Sequence, residues 1–89
     1  MTIIDETVLQ SFRDARQCEV CDKVGPVEPH HILAKGMGGG KRLDVPYNLV
    51  ACCRECHTGI HVGNGPPLDY LLATAAKREL YKLMRMPKP

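Results

Sequence analysis

The chain has 89 residues, a net charge of +2, five cysteines and four histidines, but only one Phe, three Tyr and no Trp. That length leaves room for one core, and a core so poor in large side chains ordinarily needs a staple beyond apolar burial. No apolar run approaches the length of a membrane span, and Met1–Gln10 carries Asp5 and Glu6 where a secretory leader would be basic. With an odd cysteine count, these features favour a reduced, cytoplasmic setting and a metal staple over disulfides.

Charge is unevenly spread. Residues 1–22 hold Asp5, Glu6, Asp14, Glu19 and Asp22 against Arg13 and Arg16. Residues 35–54 hold Lys35, Lys41, Arg42 and Arg54 against Asp44 alone, and residues 77–89 hold Lys77, Arg78, Lys82, Arg85 and Lys88 against Glu79. A polyanion would meet the two basic segments and avoid the acidic start. Solvated surface charge explains the same pattern on its own.

In chain order, residues 5–17 predict a helix, with Asp5 as its cap and Val8, Leu9, Phe12 and Ala15 on one face. Cys18-Glu-Val-Cys21 follows, then a turn at Gly25-Pro26. Residues 27–33 predict a short strand, with Pro29 demanding an edge or a bulge. The stretch Lys35-Gly-Met-Gly-Gly-Gly-Lys41 contains four glycines, which disfavour regular structure. It lacks the spacing and the Lys-Ser/Thr ending of a phosphate-binding P-loop, because Lys41 precedes Arg42. Residues 45–50 predict a second short strand or extended turn. Arg54 to Val62 predicts a short helix closed by Gly63-Asn64-Gly65. Pro67 then opens a final helix at its first position, with Leu68, Leu71, Leu72, Ala75, Ala76, Leu80 and Leu83 as its apolar stripe.

Cys18-x-x-Cys21 and Cys53-x-x-Cys56 are separated by 31 residues. Each C-x-x-C offers two thiolates from one tight turn, and two such pairs satisfy a tetrahedral structural Zn2+. That ion would tie the end of the first helix to the start of the short one. Cys52 cannot replace Cys53 without breaking the register, so it reads as a small buried residue.

All four histidines lie inside or beside this framework. His57 and His61 are four apart on a predicted helix and share a face, a metal-binding arrangement. His30 and His31 are adjacent on a strand and point to opposite sides. One of the pair can join His57 and His61 as a ligand while the other remains a general base, and imidazole titrates near neutrality. Three protein ligands leave positions open, as a catalytic metal site requires. A second structural zinc site would need a fourth ligand, and none is obvious.

Glu28-Pro-His-His-Ile32, Asn48-Leu-Val50, Cys53-Arg-Glu-Cys-His57 and His61 resemble the HNH endonucleases in order, residue type and spacing together. The resemblance covers residues 18–62, about half the chain. It implies an α+β class: a small zinc-stapled ββα-metal domain with an N-terminal and a C-terminal flanking helix. The whole of 1–89 would form one domain, with flanking helices at about 5–17 and 67–85. By the same resemblance His31 is the general base, and Asn48 holds the connecting loop and helps orient that base. His57 is a metal ligand, and His30 and His61 are ligands too, as in the colicin-type members. Many members place Asp where His30 stands, a departure that bears on the preferred metal.

The activity implied is hydrolysis of DNA phosphodiester bonds with one catalytic divalent ion, Mn2+, Ni2+, Mg2+ or Zn2+. Lys35, Lys41, Arg42 and Arg54 are placed to neutralise phosphates. The sequence offers no long linker or second DNA-reading domain, so the expectation is low intrinsic sequence specificity, with room for a protein partner that supplies it; a monomer is expected. The competing reading is a zinc-stapled nucleic-acid-binding module without cleavage. Such a module has no need of His31, Asn48, His57 and His61 together. An adaptor using the basic last helix is the third reading; packing explains that helix's apolar stripe more simply.

Overall fold

The computed structural model describes residues 2–33 and 42–85. The glycine-rich stretch with Lys35 and Lys41 lies outside the described residues. The first helix, α1 (Glu6–Arg13), starts where Asp5 accepts a hydrogen bond from the Val8 amide at 3.1 Å, a cap contributing about 1 kcal/mol. It is shorter than its periodicity predicts. Leu9 and Phe12 are buried, but Ala15 is exposed and Arg16 turns into the left-handed region at φ 58°. That turn sends the chain into the first cysteine pair, where Asp22 is again left-handed at φ 67°.

Strands β1 (Glu28–His31) and β2 (Leu49–Cys52) pair antiparallel, with Glu28 opposite Cys52, Pro29 opposite Ala51, His30 opposite Val50 and His31 opposite Leu49. Both are shorter than the sequence predicts. Pro29 is tolerated because each strand of a two-stranded sheet keeps an open edge. The expected strand at residues 45–50 divides: Pro46–Asn48 form a 3-10 turn, and only from Leu49 does the chain extend.

Every residue of β2 is buried, because both of its faces are covered. One face carries Leu49 and Ala51 into a cluster with Leu9, Phe12, Cys18, Val27 and Cys53. The other carries Val50 and Cys52 into a cluster with Ile32, Leu71 and Ala75. Cys52 is fully buried there, and burial pushes its thiol pKa up to about 12, as suits a small core residue.

Helix α2 (Arg54–His61) is capped by Val62 and followed by Gly63 at φ 85°. Gly65 then passes so close that an added Cβ would lie 2.9 Å from the Ile60 Cα. Helix α3 (Leu68–Met84) begins one residue later than expected, with Pro67 as its extended cap. Its apolar stripe is only half used: Leu71 and Ala75 are buried, while Leu68, Leu80 and Leu83 are exposed. The cause is length. Seventeen helical residues span about 25 Å, whereas a four-residue strand covers about 13 Å. Arg78 secures the midpoint of α3. It donates to both carboxylate oxygens of Glu19 at 2.7 and 2.9 Å, donates to the Pro46 carbonyl, and lies over the Phe12 ring.

Candidate active site

Two donor clusters flank the hairpin, and α2 contributes to both. Cys18 and Cys21 come from the turn after α1, Cys53 caps α2, and Cys56 lies one turn inside it. Their four sulfurs all lie within 4.8 Å of one another. The amides of Val20 and Cys21 donate to the Cys18 sulfur at 3.3 and 3.4 Å. Burial raises the Cys18 pKa, but backbone N–H donors from Cys53, Cys21 and Val20 outweigh it and bring the thiol down to about 7. Cys56 is pushed up instead, by burial first and then by the neighbouring sulfurs. Cys18 is thus the favoured thiolate, while Cys21 and Cys56 resist ionisation beside it. The four-cysteine cluster is compatible with a structural zinc ion.

His30, His57 and His61 form the second cluster, with one nitrogen from each within 4.8 Å of the others. Ring centroids are 5.1 Å apart for His30 and His57, 5.4 Å for His30 and His61, and 4.7 Å for His57 and His61. The i,i+4 spacing on α2 places its two imidazoles on one face, and the β1 register brings His30 to them. Burial first, and then the adjoining His57, His61 and His31, push the His30 pKa down to about 4. It is therefore neutral at physiological pH, the form that binds a metal. Three nitrogens suit a divalent transition ion with open positions.

His57 is oriented from behind. Its Nδ1 lies 2.8 Å from Glu28 Oε1, and that hydrogen bond holds the Glu28 carboxyl below its usual range. Glu28 also meets Arg54 at 3.5 Å. With Nδ1–H donated to Glu28, the Nε2 lone pair of His57 is the one left for a metal.

His31 points the other way, as alternation along β1 requires. Its Nε2 lies 2.6 Å from Asp44 Oδ1. Asn48, buried at the end of the 3-10 turn, accepts from the Leu33 amide at 2.8 Å and donates to the Leu33 and Leu43 carbonyls at 3.2 and 3.0 Å. It thus pins both ends of the connecting loop. Arg42, expected to face phosphates, places its guanidinium on Asp44 with two hydrogen bonds of 3.0 Å. Arg54 is exposed at the start of α2, while Lys35 and Lys41 lie outside the described residues.

Glu28 and Asp44 are functional neighbours of the histidines that sequence pattern alone does not single out. Glu28 precedes the histidine pair by two residues and Asp44 is the lone acid of a basic stretch, but neither position says which histidine each reaches.

A two-stranded antiparallel hairpin followed by a short helix, with histidines on both and a four-cysteine cluster beside them, makes a small α+β domain with two candidate metal-binding clusters. The model of the HNH endonuclease family matches residues 18–63, and the chain belongs to that family. No curated protein and no solved structure matches it. Among the described residues no helix is long and apolar enough to cross a membrane.

Proposed function

We propose that this chain is a metal-dependent endonuclease that hydrolyses DNA phosphodiester bonds with His31 as general base and His30, His57 and His61 as ligands to one divalent ion. The observation that carries the reading is the division of the His30-His31 pair: His30 joins the imidazole cluster and His31 does not. A divalent ion held by the three imidazoles supplies electrostatic stabilisation of charge building on the phosphate and the departing 3′ oxygen. His31 Nδ1 accepts a proton from water as its oxygen bonds to phosphorus. The bond from phosphorus to the 3′ oxygen breaks, the leaving oxygen takes a proton from solvent, and His31 releases its own to solvent. Asn48 keeps the loop ends closed behind the base. Arg54, Lys35 and Lys41 neutralise phosphates, whereas Arg42 is committed to Asp44. The structural zinc is held by Cys18, Cys21, Cys53 and Cys56. Residues 1–89 act as one domain and as a monomer of low intrinsic sequence specificity.

The test is plasmid nicking by the purified chain with and without Mn2+, Ni2+, Mg2+ or Zn2+, beside His31→Ala. Metal-dependent nicking is expected, reduced about 100-fold or more in His31→Ala, with folding and DNA retention unchanged. DNA retention without nicking under any of the four metals identifies a binding module instead.

A further inference from the structure

We infer that Asp44 is the positioning residue of the base, fixing His31 as the Nε2–H tautomer so that Nδ1 is the atom that takes the proton. The inference deepens the reading of His31 as base and rests on it. Asp44 is 1% exposed, yet all of its acceptor capacity is used. Oδ1 accepts from His31 Nε2 at 2.6 Å and from Arg42 Nε at 3.0 Å. Oδ2 accepts from Arg42 Nη2 at 3.0 Å and from the Asp5 amide at 2.8 Å. A carboxylate so bonded is ionised: burial works against the charge, but the hydrogen bonds from Arg42, His31 and the Asp5 amide hold the carboxyl well below the usual range. An ionised carboxylate only accepts, so the nitrogen facing it must carry a hydrogen. The neutral imidazole then has its lone pair on Nδ1. When Nδ1 gains a proton, the buried carboxylate stabilises the resulting imidazolium, as the buried acid does in a Ser-His-Asp triad.

Asp44 is itself held by the start of the chain. The Ile3 amide donates to the Arg42 carbonyl and the Asp44 amide donates to the Ile3 carbonyl, both at 2.8 Å, forming a short bridge beside Leu43. With the Asp5 amide on Oδ2, residues 3–5 enclose the acid. A segment outside residues 18–63 therefore supports the base inside them.

The experiment uses full-length, zinc-loaded protein with 15N-labelled histidine, read by nitrogen–proton correlation spectra at a pH where imidazole is neutral. His31 is expected as the Nε2–H tautomer. In Asp44→Asn, whose amide can either accept or donate, the tautomers mix. The turnover number then falls about 100-fold or more, while KM for DNA and Mn2+ affinity by calorimetry stay as in wild type. An Nδ1–H tautomer in the wild type overturns the inference. So does wild-type turnover in Asp44→Asn when His31→Ala is inactive. Full activity in His31→Ala overturns the base assignment as well, which separates the two failures. If Asp44→Asn does not fold, the wild-type spectrum decides alone.

Discussion

Glu28 Oε1 lies 2.8 Å from His57 Nδ1, across the gap between β1 and α2. The contact fixes which nitrogen of His57 faces His30 and His61. Outer-shell carboxylates of this kind are worth about 10- to 100-fold in metal affinity. Glu28→Gln is expected to weaken Mn2+ or Zn2+ binding at the imidazole cluster by that factor, measured by calorimetry on protein whose cysteine site is already filled. Unchanged affinity would mean that Glu28 serves only Arg54.

The cysteine cluster makes a sharper prediction, because zinc binding in such sites supplies roughly 10–16 kcal/mol and that energy is folding energy. Cys21→Ser is expected to lose the tightly held zinc and with it the cooperative thermal transition. Cys52→Ala, which removes a buried sulfur from the face that meets α3, should cost only about 1 kcal/mol and leave one zinc per chain. Zinc analysis and thermal melts on the two variants check both outcomes.

Metal preference should follow His30. Three imidazoles form a neutral, nitrogen-rich set, whereas magnesium prefers oxygen ligands and keeps its water. Mn2+ or Ni2+ is expected to support nicking at lower concentration than Mg2+ does. His30→Asp should move the preference toward Mg2+ without altering the melt. A titration in which wild type needs no more Mg2+ than Mn2+, and His30→Asp changes nothing, would remove His30 from the ligand set.

Asp44 should also mark the acid limit of the fold. Its native carboxyl sits well below the usual range, while in the unfolded chain an Asp titrates near 3.9. The stability this difference contributes is complete above the unfolded value and drains away as pH falls toward the native one. Wild type should therefore lose roughly 0.5–1 kcal/mol relative to Asp44→Asn between about pH 5 and about pH 3.5. Urea unfolding of both proteins across that range reads the difference, with zinc content measured at each pH and only the points at which both proteins keep their zinc compared. A gap that does not narrow would show that the native carboxyl is not depressed.

The cysteines and His57 with His61 were legible in the sequence because their geometry is local. A C-x-x-C turn or an i,i+4 pair brings its donors together whatever surrounds it. The split of His30 from His31 was legible for the same reason, since a strand alternates. Asp44 was not, because its meaning depends on three approaches: from Asp5 in an arm at the start of the chain, from Arg42 two residues away, and from His31 on a strand. Basic composition suggested that Arg42 faces phosphate; a bidentate partner two residues on commits it elsewhere. Periodicity predicts a continuous apolar stripe on α3 because it records which face is apolar, and says nothing about how far the opposing strand extends.

Helix α2 has eight residues, about 12 Å of rigid rod, and holds sulfur donors at its start and nitrogen donors farther along. A rod that short cannot bend enough to release one end and keep the other in place. The sulfur and imidazole clusters are therefore mechanically linked through α2: whatever displaces the cysteine end of the helix also displaces His57 and His61.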